Sequence, residues 1–157
     1  MQRAKVVLLG APEVGKTSLV ARFVHSVFSE HQKSTLGVKV DRKTVELGEK
    51  TVSLLLWDMH GETEGLDVPA NYYSGASAGL VVVDSSRPET LEVGRSLADR
   101  LMERSPDAQV VFVANKSDLA FDQDALNRHL AGTEVRPTSA KSGEGVEELF
   151  VDLAESL

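Results

Sequence analysis

Five short apolar runs punctuate the chain: "AKVVLLG" (4–10), "TVSLLLW" (51–57), "AGLVVVD" (78–84), "AQVVFVAN" (108–115) and "TEVRPTS" (133–139). Runs of this kind, rich in Val and Leu and lacking alternation, are what strands covered on both faces look like. Between them the apolar residues take helical spacing: Leu19, Val20, Phe23 and Val24; Leu97, Ala98, Leu101 and Met102; Val146, Leu149, Phe150 and Leu153. Strand and helix in alternation predict a mainly parallel α/β sheet. One interval departs from this, because "VKVDRKTVELGEKTVSLLLW" (38–57) has no room for a helix and carries Gly48 between two strand-like segments. That reads as a hairpin, so one strand runs antiparallel. Residues 26–37 and 58–70 are left as two long polar connections, which in a compact domain are usually functional.

At 157 residues and 41% hydrophobic content, the chain has material for one good core, and residues 1–157 read as a single domain. The net charge of -7 argues against nucleic acid and against an anionic membrane. Any phosphate site must therefore be local. With no cysteine there is no disulfide, zinc thiolate, thiol nucleophile or lipidated thiol, and Gln2 excludes N-myristoylation. No run is long enough for a membrane span and the first residues lack a signal peptide's apolar region, so a cytoplasmic location is expected.

"GAPEVGKT" (Gly10–Thr17) fits G-x-x-x-x-G-K-[ST] and stands where that pattern has mechanical meaning, after the first strand and opening the first helix. The backbone amides of Glu13, Val14, Gly15, Lys16 and Thr17 can converge on a β-phosphate at a helix N-terminus, Lys16 supplies charge to the β- and γ-phosphates, and Thr17 offers a hydroxyl to Mg²⁺. A glycine turn capped by threonine is the plainer alternative. A chance match in a chain of this length is on the order of 1%, and the position after a strand weighs further against it.

"NKSD" (Asn115–Asp118) leaves the fourth apolar run at the carboxyl edge, where α/β ligands bind. A carboxylate there accepts both N1–H and N2–H₂ of guanine but meets only an acceptor at N1 of adenine, and buried mismatches of that kind are costly. Asp118 is the guanine reader, Lys116 lays its stem along the purine, and Asn115 ties this loop back to the phosphate loop. At the next strand exit stands "TSAKS" (Thr138–Ser142), containing Ser139, Ala140 and Lys141, whose Ala140 amide is placed to donate to guanine O6. Each motif alone could be a polar turn; their order along successive strand ends is what gives them weight.

This ordered set, "GAPEVGKT", Thr35 in "STLGV", "WDMHG" (57–61), "NKSD" and "TSAK", resembles the small Ras-like GTPases, nearest in flavour to the Ras and Rab branches, over essentially the whole chain. "NYYSGA" (71–76) is similar as well. The resemblance implies a P-loop NTPase of G-domain type: a mostly parallel six-stranded sheet with one antiparallel strand and helices on both faces. It also implies GTP and GDP as ligands and Mg²⁺ as cofactor. Residue by residue, Ser18 joins the phosphate contacts, Phe28 matches the aromatic packed against the guanine, and Thr35 matches the switch threonine that reaches Mg²⁺ only in the GTP state. Asp58 would hold Mg²⁺ through water, and Gly61 would let its amide approach the γ-phosphate. Effectors, exchange factors and activating proteins would read residues 29–39 and 60–73, on a chain expected to be monomeric.

Glu62 stands where the family usually has glutamine. Glutamine can donate to the γ-phosphate and accept from the attacking water; an ionised carboxylate only accepts and is repelled by the phosphates. Either Glu62 still positions or deprotonates that water, or it turns outward and turnover is slow; the second is expected. The catalytic set is thus Lys16, Gly61 and Glu62. His60, where the family is usually small, reads as a bystander. Pro12 removes an amide from the phosphate loop, and no cis-acting arginine stands out. The chain ends one helix after "TSAKSG" without a lipidated cysteine, so no lipid anchor is expected. A GTP-holding interaction module without turnover, and a small-molecule kinase using ATP, are the rival readings; "NKSD" speaks against the kinase.

Overall fold

The computed structural model describes residues 1–25, 37–60, 69–84, 86–116 and 135–157, with the side chains of Met59 and His60 outside that description. The elements in chain order are β1 (Gln2–Leu9), α1 (Lys16–His25), β2 (Gly37–Leu47), β3 (Lys50–His60), α2 (Ala70–Tyr73), β4 (Ala78–Asp84), α3 (Glu89–Arg104), β5 (Gln109–Asn115), β6 (Val135–Pro137) and α4 (Val146–Ser156). The strands form one six-stranded sheet in the order β2-β3-β1-β4-β5-β6, parallel throughout except for the antiparallel β2–β3 pair. The expected fold class is the observed one.

The unbroken apolar runs have a direct structural reason. Successive strand residues point to opposite faces, so Ala4, Val6 and Leu8 of β1 enter one core while Val7 and Leu9 enter the other. β4 repeats the division, with Ala78, Leu80 and Val82 on the first face and Val81 and Val83 on the second. Helices α1 and α4 cover the first face through Leu19, Val20, Phe23, Leu149, Phe150 and Leu153. Helices α2 and α3 cover the other through Tyr72, Tyr73, Leu91, Leu97 and Leu101. Met102, grouped with the buried stripe on spacing, is 43% exposed because one more helical step turns it out of the stripe.

The hairpin turns at Gly48 with φ of 66°, and its ladder runs from Leu47↔Lys50 to Gly37↔His60. This corrects the expected polar connection at 58–70: Asp58, Met59 and His60 belong to β3, because pairing with β2 continues past the apolar run. Gly37 likewise belongs to β2, and Ala70 opens α2. The extension carries Asp58 to the carboxyl end of the sheet beside β1, where Leu8 pairs with it. Tyr72 secures the same end from below, donating its hydroxyl to the carbonyls of Leu8 and Trp57.

The two sheet-covering helices α1 and α4 meet at Phe23 and Phe150, whose rings stack at 4.0 Å with 10° between planes. Phe150 is fully buried. Phe150→Ala should lower unfolding stability by about 3–5 kcal/mol, read from urea midpoints at unchanged m-value.

Candidate functional site

Strand β1 ends where the order of connection divides, with β3 and then β2 on one side of it and β4 on the other. Open α/β sheets leave a crevice at such a point, outside the carboxyl ends of the strands. The segment from Gly10 to Gly15 fills it. Two glycines are required there: a Cβ on Gly10 would lie 2.4 Å from the Val82 carbonyl oxygen, and one on Gly15 would lie 2.3 Å from Asn115 Nδ2. Gly15 also has φ of 101°, in the region that excludes most side chains.

The loop between them is held by donors from neighbouring strand ends. Arg87 Nη2 donates to the Pro12 carbonyl at 2.9 Å, Lys116 Nζ to the Glu13 carbonyl at 2.9 Å, and Asn115 Nδ2 to the Val14 carbonyl at 3.0 Å. In a trans peptide the carbonyl and the following amide point in opposite directions. Pulling these carbonyls outward therefore directs the amides of Glu13, Val14 and Gly15 toward the loop's interior. Glu13 itself has φ of 63°, which for a non-glycine residue costs roughly 1–2 kcal/mol. Lys16 is 5% exposed, with Nζ 3.1 Å from the carbonyl oxygens of Gly10 and Ala11, so its charge lies inside the loop. Thr17 and Ser18 follow in the first turn of α1.

Thr17 Oγ1 donates to Asp58 Oδ2 at 2.6 Å, and Asp58 is 1% exposed. A hydroxyl and a carboxylate side by side are hard oxygen donors, the kind Mg²⁺ takes together with phosphate and water oxygens. The chemistry of this donor pair fits that ion.

Asn115 links the loop to the next strand end. Its Oδ1 accepts from Thr138 Oγ1 at 3.1 Å and from the Ala140 amide at 3.3 Å, while its Nδ2 serves Val14. The Ala140 amide, expected to face guanine O6, thus makes a long bond to Asn115. The Ser139 hydroxyl accepts from the Ser142 amide at 3.1 Å, tightening the turn that carries Ala140 and Lys141. Arg22 of α1 donates to the Lys141 carbonyl at 2.7 Å, bracing that turn against the first helix. Phe28, Thr35, Gly61, Glu62 and Asp118 lie outside the described residues, as does most of 29–39 and 60–73.

Asp84 and Arg87 are the residues that sequence reasoning passed over. Asp84 ended an apolar run at the carboxyl edge, which was the available signal; Arg87 in "SSRPET" carried none. The Asp84 carboxylate receives Lys116 Nζ at 2.9 Å and Arg87 Nε at 3.0 Å on Oδ2, and the Ser86 amide at 2.8 Å and hydroxyl at 2.6 Å on Oδ1. Burial alone would raise its pKa, but the bonds from Ser86, Lys116 and Arg87 outweigh it and bring the value from 3.8 down to about 2. A depressed carboxylate contributes stability that is complete above its unfolded-state pKa and is lost as pH falls through the folded one. The contribution is roughly 2 kcal/mol. Urea midpoints measured at about pH 5 and about pH 3 should fall farther in the parent than in Asp84→Asn; equal falls would show that Asp84 is not responsible.

Comparison with known proteins meets this geometry at the level of family. Residues 5–157 match the Ras family. The chain is 35% identical over 162 residues to GTP-binding protein ypt5 of Schizosaccharomyces pombe, across 98% of this chain and 77% of the relative. It is also 35% identical over 160 residues to Ras-related protein Rab-5A of Dictyostelium discoideum, across 98% of this chain and 80% of the relative. A family match over residues 5–157, together with relatives 35% identical across 98% of the chain, places the chain in the Ras family.

Proposed function

We propose that this chain is a guanine-nucleotide switch that binds GTP with Mg²⁺, hydrolyses it slowly to GDP and phosphate, and presents different surfaces in the two states. The observation that carries this reading is the pair of bonds from Asn115 and Lys116 to the carbonyls of Val14 and Glu13. They set the start of "NKSD" directly against the phosphate loop, so one nucleotide can meet both. The names of the relatives, a GTP-binding protein and a Ras-related protein, agree with it.

In this reading the amides of Glu13 to Thr17 and the Lys16 ammonium hold the β- and γ-phosphates, with Ser18 on the next phosphate. Asp118 selects guanine, Lys116 covers the purine, and Ser139, Ala140 and Lys141 close over its O6 edge, with Phe28 on the other side. Thr17 and Thr35 would hold Mg²⁺, with Asp58 holding it through water, and the ion would neutralise charge on the phosphates. Water attacks the γ-phosphorus, the bond to the bridging oxygen breaks, GDP leaves carrying that electron pair, and the proton the water gives up passes to the departing phosphate or to solvent. Lys16 and the amides of the loop and of Gly61 stabilise the charge that moves, so the chain's contribution is electrostatic and positional. Effectors and regulators dock on 29–39 and 60–73; Val38, 43% exposed on β2, gives that surface an apolar component, which Val40, 47% exposed, continues just beyond it.

A second reading, a GTP-holding module with negligible turnover, is favoured by Glu62 in place of glutamine. An anionic side chain beside the γ-phosphate neither donates to it nor sits there without repulsion. Nucleotide released by denaturing the purified chain should be guanine nucleotide, and GTP should outcompete ATP by at least about a thousandfold; comparable binding of ATP would overturn the guanine assignment. In single-turnover hydrolysis, Glu62→Gln should exceed the parent by about tenfold or more, with Glu62→Ala close to the parent. A sharp loss in Glu62→Ala would instead make Glu62 a participant in the chemistry.

A further inference from the structure

We infer that Arg87 is a positioning residue for phosphate binding: anchored on Asp84, its guanidinium holds the Pro12 carbonyl outward and thereby keeps the Glu13 amide turned into the loop. The inference rests on reading Gly10–Thr17 as a phosphate cradle.

The need for such a device is local. Pro12 contributes no amide of its own, so the first amide available after Ala11 is that of Glu13. The Pro12–Glu13 peptide can rotate about the Pro12 Cα–C bond, and Glu13 sits in the left-handed region with φ of 63°, so the chain has no intrinsic reason to stay in this shape. Asn115 and Lys116 hold the next two carbonyls. Arg87 holds the carbonyl that precedes them, that of Pro12.

Arg87 is itself fixed at both ends. Nε meets Asp84 Oδ2 at 3.0 Å while Nη2 meets the Pro12 oxygen at 2.9 Å, so one planar fork spans β4's exit and the phosphate loop. Its backbone is fixed too: the Arg87 amide donates to the Asp84 carbonyl at 3.0 Å, and the Arg87 carbonyl accepts from the Thr90 amide at 3.1 Å and hydroxyl at 2.8 Å. A lysine, with a single nitrogen on a flexible stem, cannot reproduce a fork that meets two acceptors in fixed directions. Asp84 also carries Lys116, so a single carboxylate anchors the cations that serve two consecutive loop carbonyls.

The test compares GDP with GMP, since only GDP carries the β-phosphate on which the loop amides converge. Affinities are measured by competition with a fluorescent guanine nucleotide for the parent, Arg87→Met, Arg87→Lys and Asp84→Asn. Arg87→Met should weaken GDP by about tenfold while GMP stays within about twofold. Arg87→Lys should recover less than half of that loss, and Asp84→Asn, which removes the anchor that Arg87 shares with Lys116, should weaken GDP by several-fold more than GMP and serves alone if the Met variant does not fold. Unchanged GDP affinity, equal losses for GDP and GMP, or full recovery by lysine would each overturn the inference. A parent that binds neither nucleotide would instead overturn the reading of the cradle, and this inference with it.

Discussion

The site depends on a property of the peptide unit: a trans peptide cannot turn its amide inward without turning the preceding carbonyl outward. Outward carbonyls need donors, and the short segment from Gly10 to Gly15 has none of its own to spare. The donors come from Arg87, Lys116 and Asn115, residues at the ends of two other strands or just beyond them. A loop holding a left-handed glutamate and two glycines in strained or restricted backbone positions persists because the sheet around it supplies these bonds.

That dependence explains why the site sits where it does. β1, β4 and β5 are neighbours, Leu9 pairing with Val81 and Asp84 with Asn115, so the chain emerging from each strand arrives within a side chain's length of the others. Most of the apolar residues that fix this register are buried, and their burial on both faces leaves little freedom for one strand end to shift against another. It also explains how a chain with net charge -7 builds a place for polyanions. Lys16, Lys116 and Arg87 are concentrated at one crevice, and the buried Asp84 carboxylate sets the orientation of two of them, so charge is local while the surface elsewhere is acidic.

Much of this was legible in the sequence, for physical reasons that differ by residue. Strands buried on both faces leave unbroken Val and Leu runs, and β4 matched its run from Ala78 to Asp84. "GAPEVGKT" could be placed because glycine positions report backbone constraint directly, and the contact with Val82 and Asn115 shows what the constraint is. Asn115 could be assigned its tie to the loop for the same reason that its neighbours could be read: its place at a strand's carboxyl end. The extension of β3 through His60 was hidden, because cross-strand pairing with β2 rather than side-chain polarity decides it. Arg87 was hidden more deeply. Its partner in the loop, Pro12, is 75 positions away and across a sheet crevice, and an arginine in a polar turn has no local signature of such a contact. Phe28, Thr35, Gly61, Glu62 and Asp118 lie outside the described residues.

The central claim is that the amides of Glu13, Val14 and Gly15, turned inward by their outward-held carbonyls, bind the phosphates of a guanine nucleotide together with the first amides of α1, those of Lys16 and Thr17. Backbone amide NMR of the ¹⁵N-labelled chain, recorded as bound nucleotide is exchanged between GDP and GMP and challenged with ADP, tests it most directly. The account predicts that the resonances of Glu13, Val14, Gly15, Lys16 and Thr17 move most on gaining the second phosphate, and that ADP leaves them where they were. Shifts centred on another part of the sheet, or the same shifts with ADP, would contradict it.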